Sequence, residues 1–365
     1  MRKVKIAMVG VGDISGIYLK NITQVFTGLE LVGVCDLIRE RAEKANAYGI
    51  SKIYDTYDDI LADDEVEIVL NLTRPYEHYA INKAALEAGK HIYCEKPLAA
   101  TFEEGKELIE LASSKGLLLG GAPDTFLGAG IQTCRKLIDS GFIGDPVGAA
   151  TFMVCRGHES WHPNPEFYYQ RGGGPMMDMG PYYVTTLVNL LGGVSAVTGI
   201  AKTTFPTRLI TSEPKCGTVV EVECPTTVAG TLEFESGIIG TIFTTFDVHS
   251  IRQDRFEVYG SEGTIIVPDP NTFGGPVLLL RPEVGEFKEI PLMFDYEENS
   301  RGVGLADMAR AVETGRFARA GVNQTLHVLE IMTAIEKSGS NHISLTTKYD
   351  RKPPMINNPM PGVLD

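Results

Sequence analysis

A Lys-Pro pair and an aspartate four positions before a tyrosine are the residues of this chain best suited to chemistry. Lys96 and Pro97 come directly after the predicted buried strand His91–Cys94. A proline there can adopt a cis bond and turn the chain sharply, which would aim the ammonium group across the end of the sheet instead of into solvent. Asp178 and Tyr182 lie on one predicted helix, so they would share a face and could touch one ligand.

These side chains could together move the proton of an alcohol. Oxidising an alcohol needs a hydride acceptor, a group that takes the hydroxyl proton and a group that holds the oxygen. Lys96, Asp178 and Tyr182 could supply the last two, because a nearby ammonium and a cationic acceptor ring would lower the pKa of a tyrosine from about 10. Simpler interpretations stay open: a solvated lysine, an aspartate at a helix start and a tyrosine in the core.

A site for the hydride acceptor is predicted where the first strand ends, at the run Gly10-Val11-Gly12-Asp13-Ile14-Ser15-Gly16. Gly10 permits a tight turn, and Gly12 lets the backbone approach a pyrophosphate whose charge faces the following helix N-terminus. Ser15, a small residue, stands where the usual third glycine lies. A purely structural turn is the alternative, and the strand–turn–helix context argues against it.

Asp36 follows the second predicted strand, 20 residues beyond Gly16. A carboxylate there can accept both ribose hydroxyls of an adenosine and would repel a 2′-phosphate, so NAD is the predicted cofactor. Arg39 and Arg41 keep NADP as a less favoured option. Two more loops follow strands at the same edge of the sheet, where ligands bind. The predicted cofactor-binding residues are Gly10, Gly12, Asp13, Ile14, Ser15, Asp36, Asn71, Thr73, Pro75, His78, Glu95 and Lys96.

The segment His158-Glu159-Ser160-Trp161-His162 matches the zinc-protease pattern H-E-x-x-H. Zinc binding by that pattern requires a helix, and Pro163 and Pro165 make a helix improbable, so no metal site is predicted. Trp161 and His162 are instead candidate substrate-loop residues, because an indole suits the apolar face of a sugar. The alternative is that Trp161, the only tryptophan, anchors a loop in the core.

The order of elements predicts an α/β domain over residues 1–122, with a doubly wound parallel sheet. Short strand patterns alternate with helical patterns and short connections. The predicted strands are Lys5–Val9, Leu29–Cys35, Ile68–Leu72, His91–Cys94 and Leu117–Gly120. The predicted helices are Ile17–Phe26, Ile38–Tyr48, Tyr76–Ala88 and Phe102–Lys115.

The sequence pattern of residues 123–350 predicts an α+β domain with a large, mostly antiparallel open sheet. Several strand patterns follow one another without helices between them, and the stretches 235–237 and 260–263 are typical of hairpin turns. Helices are predicted at 128–139, at about 176–191, at 304–313 and at 324–337. The Pro-rich segment 351–365 is expected to form an extended tail.

Composition narrows the class of protein. The 365 residues are 43% hydrophobic and 22% charged, which is typical of a globular chain. The net charge of −14, without a basic run, argues against nucleic acid and anionic membranes as partners. No stretch is apolar enough for a membrane helix or a signal peptide, and six scattered cysteines suggest reduced thiols. A cytoplasmic location is therefore expected.

Three motifs together resemble the Gfo/Idh/MocA oxidoreductases, the family of glucose–fructose oxidoreductase and inositol dehydrogenase. They are the glycine run from Gly10 to Ser15, the tripeptide Glu95–Pro97 and the glycine-flanked Asp178. The resemblance spans nearly the whole chain. It implies an N-terminal Rossmann domain, a C-terminal domain with an open antiparallel sheet, dimers or tetramers formed through that sheet, and Lys96 and Asp178 in the active site.

Two departures from the family pattern affect the site. Many members have histidine where this chain has Tyr182, so His162 is kept as a second candidate for acid/base catalysis. An arginine-containing loop is common where this chain has Asp124, which is therefore expected to meet substrate hydroxyls. The predicted catalytic residues are Lys96, Asp178, Tyr182 and His162, and the predicted substrate-binding residues are Asp124, Trp161, His162, Asp178 and Tyr182.

The leading functional hypothesis is an NAD-dependent oxidoreductase that transfers a hydride between nicotinamide and a carbinol or keto carbon of a sugar, polyol or inositol. Some relatives hydrolyse glycosides through a transient oxidation, so an NAD-dependent glycoside hydrolase is an alternative. A non-catalytic NAD-binding regulator is another. Net accumulation of NADH would separate the first hypothesis from both.

Replacing Lys96 with methionine is expected to leave NAD binding intact and to lower turnover by orders of magnitude. The variant keeps an unbranched side chain one atom shorter than lysine and removes the amine that would hold and help deprotonate the substrate hydroxyl. NAD binding and steady-state turnover of the purified variant measure the two effects separately. Turnover near that of the wild type would remove Lys96 from the mechanism.

Overall fold

The computed structural model describes residues 2–252 and 255–351. The α-helices are α1 (Ser15–Gln24), α2 (Arg39–Ala42), α3 (Tyr57–Ala62), α4 (His78–Glu87), α5 (Phe102–Ser114), α6 (Ala129–Asp139), α7 (Gly174–Asp178), α8 (Gly180–Leu191), α9 (Val303–Thr314) and α10 (Val322–Lys337). The strands are β1 (Val4–Val9), β2 (Leu29–Cys35), β3 (Ile68–Asn71), β4 (His91–Cys94), β5 (Leu119–Gly121), β6 (Pro146–Val154), β7 (Val194–Lys202), β8 (Thr207–Leu209), β9 (Val219–Glu221), β10 (Thr227–Phe234), β11 (Ile239–Thr245), β12 (Phe256–Gly260), β13 (Thr264–Ile266), β14 (Val277–Leu280), β15 (Lys288–Ile290) and β16 (Ile343–Ser344). Within these ranges no helix combines the length and the apolar character that crossing a bilayer requires. The tail predicted from residue 351 lies, except for Arg351, outside the described residues.

The chain divides into two compact units, and the first contains the residues up to Gly128 together with Phe294–Leu326. Its sheet has the order β2-β1-β3-β4-β5, with parallel pairing throughout. A single parallel bridge joins Val34 of β2 to Ile53, in the place of one more edge strand. The predicted doubly wound sheet is confirmed, and the order of its strands reverses beside β1, which is where such sheets bind ligands.

Sequence periodicity located most elements of the first unit and missed two details. The predicted helix over residues 38–48 is α2 followed by a 3₁₀ helix over Glu43–Tyr48. Helix α3 was not predicted, although Thr56 and Asp59 form a capping box at its start. At six residues α3 is too short for an amphipathic period to stand out, so its cap is the only clear signal.

The second unit, Ala129–Met293 with the residues from His327 to Arg351, contains the large sheet. The strand order is β15-β14-β13-β12-β6-β11-β10-β7-β16. Pairing is antiparallel except between β6 and β11, so the prediction of a mostly antiparallel sheet is confirmed. Both predicted hairpins, β10–β11 and β12–β13, are present. The small ladder of β8 and β9 was not predicted.

The boundary of the first unit differs from the expected division at residue 122, because Phe294–Leu326 clusters with the N-terminal residues. The backbone N–H of Gly121 donates to the carbonyl of Ala320 at 3.1 Å. The carboxylate of Asp124 accepts the N–H groups of Gly302 and Gly304 at 2.9 and 3.0 Å. These long-range bonds attach α9 to the parallel sheet, and hydrophobic periodicity carries no information about them.

Candidate functional site

The glycine turn after β1 has the shape of a pyrophosphate cradle. Gly10 has a φ of +89°, and a Cβ there would lie 2.8 Å from the carbonyl carbon of Leu72, so this position requires glycine. A Cβ on Gly12 would meet nothing within 4 Å, which leaves open space beside the start of α1. The Ser15 hydroxyl donates to the carbonyl of Gly12 at 2.6 Å and closes the turn. An open backbone next to a helix N-terminus fits a dinucleotide pyrophosphate.

Asp36 holds the glycine turn against the end of β2. Its Oδ2 accepts the backbone N–H of Val11 at 2.7 Å, and its Oδ1 accepts the N–H of Ile38 at 2.8 Å. The residue is only partly buried. Each carboxylate oxygen has a second lone pair, so the group can accept ribose hydroxyls while it keeps both backbone bonds.

The Lys96 turn is fixed by the carboxylate of Glu95. The Lys96–Pro97 bond is cis. Glu95 is 8% exposed, and its two oxygens accept the Tyr18 hydroxyl at 2.7 Å and the Lys96 backbone N–H at 3.1 Å. Burial, followed by the charge of Glu95, raises the pKa of Tyr18 well above its usual value, so the phenol remains a donor. Lys96 itself is partly buried. The carboxylate of Glu95 thus bonds both to Tyr18 of α1 and to the turn that carries Lys96.

Two residues expected to contact the cofactor are fully buried instead. The His78 ring lies between the carbonyl of Pro97, 2.6 Å from Nδ1, and the carbonyl of Thr73, 3.0 Å from Nε2. Asn71 accepts the Thr73 N–H at 3.1 Å and donates to Asn82 at 2.9 Å. Both His78 and Asn71 are 0% exposed and engaged in these contacts, and direct cofactor contact by them stays a prediction. They fix the positions of the loops that follow β3 and β4.

Asp124 is a third predicted ligand-binding residue that lies buried in the structure. It was expected to meet substrate hydroxyls, and it is 1% exposed with its carboxylate at the start of α9. Burial raises its pKa to about 6. The N–H groups of Gly304 and Gly302 oppose this rise, because they stabilise the carboxylate. Because a carboxylate at a helix N-terminus satisfies otherwise unpaired N–H groups, the position of Asp124 indicates a structural role.

Asp178 and Tyr182 do not share one continuous helix. Asp178 ends α7, Met179 is a turn residue that keeps αR dihedrals, and α8 begins at Gly180. Pro181 has no N–H with which to continue the hydrogen-bond ladder, which accounts for the interruption. Tyr182 is 6% exposed, so the single predicted helix over 176–191 is corrected to two segments.

His158 is the residue that sequence reasoning missed. Its Nε2 lies 3.8 Å from Oδ2 of Asp178, and both side chains retain some exposure, 11% and 14%. The imidazole stacks on Tyr168 with ring centroids 3.8 Å apart and meets the edge of Phe246 at 4.7 Å. The available signal was the first histidine of H-E-x-x-H, a pattern that indicates a zinc ligand only when it lies on a helix.

The remaining residues of that motif hold a loop. Residues 158–161 form a turn, as the prolines predicted, and Glu159 pairs with Arg208 at 3.1 Å and accepts the Tyr169 hydroxyl. Across residues 2–252 and 255–351, no group of three or more His, Cys, Asp or Glu could hold a metal ion. Nδ1 of His162 accepts the Asn164 N–H at 3.0 Å.

Trp161 is 62% exposed, so it is not the core anchor that the sequence left open. Its ring lies 5.4 Å from the rings of both His158 and His162. An exposed indole beside two imidazoles, one of them 3.8 Å from the carboxylate of Asp178, offers an apolar face and polar partners together. A polyol presents the same combination of C–H and O–H groups.

Two family descriptions match consecutive parts of the chain. Residues 4–121 match "Oxidoreductase family, NAD-binding Rossmann fold", and residues 131–266 match "GFO/IDH/MocA C-terminal domain". A 1,5-anhydro-D-fructose reductase of Ensifer adhaerens is 30% identical over 246 residues, which is 66% of this chain and 68% of that protein. The chain belongs to the Gfo/Idh/MocA family.

Other members of the Gfo/Idh/MocA family are similar over shorter or more divergent stretches. An uncharacterized oxidoreductase of Schizosaccharomyces pombe is 35% identical over 162 residues, 43% of each chain. The chain thus spans about half the length of the first curated relatives it matches, 43% and 54%. A levoglucosan dehydrogenase solved with NADH and L-sorbose has a TM-score of 0.81 at 21% identity and covers 95% of this chain and 100% of its own. At that identity the likeness shows the fold.

Replacing each of the two glycines of the turn with alanine is expected to affect a different property, NAD binding for Gly12 and folding stability for Gly10. Gly12→Ala meets no atom, so the melting temperature is expected to stay unchanged while the added methyl group occupies the cradle. We expect NAD affinity to fall about tenfold or more, equivalent to roughly 1.4 kcal/mol, measured by calorimetry. Gly10→Ala is the matched control and is expected to destabilise folding by about 1–3 kcal/mol, because its φ is positive and Leu72 is in the way. Unchanged NAD affinity in the Gly12 variant would show that the turn does not hold the dinucleotide.

Proposed function

We propose that this chain is an NAD-dependent oxidoreductase that transfers a hydride between nicotinamide and a carbinol or keto carbon of a sugar, polyol or inositol-like substrate. The observation that carries the proposal is the open space beside Gly12, next to the start of α1 and to a carboxylate fixed by backbone bonds. Membership in a family with an NAD-binding Rossmann domain supports the same conclusion.

The first unit supplies the cofactor site. Gly10, Gly12 and the N-terminal residues of α1 would hold the pyrophosphate, and Asp36 would hold the adenosine ribose. When bound, the nicotinamide accepts or donates a hydride. Lys96 would hydrogen-bond the substrate hydroxyl, on a turn that Glu95 and Tyr18 fix in place.

Asp36 favours NAD over NADP as the cofactor. Both of its oxygens are held by backbone N–H groups, so the carboxylate cannot turn away from an incoming phosphate without breaking those bonds. A 2′-phosphate would meet a like charge at close range. Arg39, one of the two arginines that kept NADP open, pairs with the carboxylate of Asp55.

The second unit supplies the groups suited to a sugar. Asp178 can accept substrate hydroxyls, and the exposed ring of Trp161 can cover a face of C–H groups. The Ensifer relative is named a reductase of 1,5-anhydro-D-fructose, and the levoglucosan dehydrogenase was solved with L-sorbose. A sugar, polyol or inositol is therefore the substrate class we propose.

Assembly through the large sheet and a cytoplasmic location belong to the same proposal. Ile200, Ala229, Phe243 and Phe152 are register partners on four adjacent strands, and Ile200 is 61% exposed. Such an apolar row suits contact with a second copy of the chain, in a homodimer or homotetramer. The scattered cysteines are typical of a reducing compartment.

Incubating the full chain with NAD and a panel of polyols tests the proposal. The panel contains D-glucose, D-xylose, myo-inositol, levoglucosan and L-sorbose, with 1,5-anhydro-D-fructose and NADH for the reverse direction. We expect net formation of NADH with at least one polyol, or its consumption in the reverse assay, followed at the NADH absorbance band. Cleavage of a nitrophenyl glycoside without net NADH would identify a hydrolase instead. Tight NAD binding without any turnover would identify a regulator.

A further inference from the structure

We propose that His158, rather than Tyr182 or His162, exchanges the proton with the reacting hydroxyl of the substrate, and that Asp178 holds a neighbouring hydroxyl of the same substrate. This inference rests on the proposed oxidoreductase function and adds the identity of its acid/base residue. It is carried by the arrangement of His158, Asp178 and the rings around them, all within the second unit.

The distance between the two groups suits two neighbouring hydroxyls of one substrate. Nε2 of His158 and Oδ2 of Asp178 are 3.8 Å apart, which is too long for a direct hydrogen bond. A neutral imidazole nitrogen and a carboxylate oxygen both accept hydrogen bonds, so two neighbouring hydroxyls of a polyol would serve them, one donating to Nε2 of His158 and the other to Asp178. The carboxylate would accept a hydrogen bond or stabilise charge, and the imidazole would take the proton.

The ring of His158 is held in one orientation by aromatic contacts. Tyr168 stacks on one side with an interplanar angle of 13°, and Phe246 meets the ring edge at 75°. The backbone N–H of His158 donates to the Tyr169 hydroxyl at 3.3 Å. A proton acceptor has to be aimed at the reacting hydroxyl before the reaction, and these contacts fix that aim.

An imidazole suits proton transfer near neutral pH better than a phenol. Unperturbed histidine titrates near about 6.5 and tyrosine near about 10, so histidine needs no large shift to act as a base. During oxidation the carbon loses a hydride to the bound cofactor, and the O–H bond gives its proton to Nε2 of His158. The electron pair of that bond forms the new carbonyl, and Asp178 stabilises the imidazolium. Reduction runs the same transfers backwards.

The two earlier candidates are less suited to the role. Tyr182 is the third residue of α8, and Met179 separates α8 from the segment that ends at Asp178, so the spacing alone does not place the two side chains on a common face. His162 uses Nδ1 to accept the Asn164 N–H, and its backbone carbonyl accepts the Ser212 hydroxyl at 2.6 Å. These bonds suit a residue that shapes the loop.

Among the described residues, the ionisable groups near the pair include Tyr168, Cys155, Glu159 and Arg255. Burial, followed by the charge of Asp178, raises the pKa of Cys155, so the thiol stays neutral near pH 7. Glu159 pairs with Arg208. Arg255 lies close enough to Cys155 to act on its charge. Asp178 is thus the charge expected to respond most directly to protonation of His158.

Trp161 provides a readout that needs neither cofactor nor turnover. It is the only tryptophan, and protonation of an imidazole beside an indole quenches the indole fluorescence. In the full-length His162→Gln chain, the remaining pH titration of fluorescence should report His158. Adding Asp178→Asn should move its midpoint to lower pH, because the carboxylate favours the imidazolium. His158→Gln with His162→Gln should show no such titration.

The pH dependence of turnover is the second readout, measured with the panel sugar that gives the fastest NADH formation. In the oxidation direction the wild-type rate should fall as the pH decreases, because protonated His158 cannot accept a proton. His158→Gln should lower kcat about a hundred-fold or more and should lose this fall at low pH. His162→Gln is the matched control and should keep the fall. Melting curves verify that each variant is folded.

Two results would overturn the inference. The first is a His158→Gln variant with wild-type kcat and an unchanged pH profile. The second is a fluorescence midpoint that does not move when Asp178 is replaced, which would show that the two groups do not interact. Failure of the proposed function looks different: the wild type would turn over no sugar, while the fluorescence titration and its shift remained. Without turnover, the proposed proton transfer by His158 would also be overturned, and only the interaction between His158 and Asp178 would stand.

Discussion

The hydrogen bond from the Val11 N–H to the carboxylate of Asp36 is the interaction on which the first unit depends. It spans 2.7 Å and ties the glycine turn to the end of the neighbouring strand. A hydrogen bond to a charged group contributes about 1.5–3 kcal/mol, enough to define the turn before any ligand arrives. The group proposed to recognise the ribose is therefore also the group that shapes the pyrophosphate cradle. Cofactor specificity and loop structure are coupled through this one side chain.

A second set of buried side chains performs the same task for the Lys96 turn. The two ring nitrogens of His78 lie within hydrogen-bond distance of the carbonyl oxygens of two loops, and Glu95 joins that turn to α1 through the hydroxyl of Tyr18. The polar residues at the carboxyl ends of β3 and β4 thus divide into two kinds. Some can face a ligand, whereas others lie beneath the loops and satisfy backbone groups that would otherwise be buried without partners.

That division explains what the sequence could and could not predict. Alternating strand and helix patterns predicted both sheets, because burial on one or two faces imposes a period on the residues. The same patterns could not show that His78, Asn71 and Asp124 point inward. A polar residue after a strand gives the same sequence pattern whether its side chain faces the interior or a ligand. The bonds from Asp124 to Gly302 and Gly304 join positions about 180 apart in sequence, beyond any local signal.

The candidate site of the second unit was predicted less well for a related reason. Asp178 was found through its glycine-flanked motif, whereas His158 lies 20 positions earlier in an irregular turn. The zinc pattern H-E-x-x-H directed attention to a chemistry that needs a helix, and the loop is instead organised by the Glu159–Arg208 pair. Irregular segments gain their structure from such tertiary contacts, so their side-chain neighbours cannot be deduced from spacing.

The measurement that tests this account most directly is calorimetric titration of the full chain with NAD and, separately, with NADP. If a fixed carboxylate at position 36 defines the ribose site, NAD should bind about tenfold tighter or more, since the added phosphate would meet a like charge. Equal or tighter binding of NADP, or no binding of either dinucleotide, would contradict it.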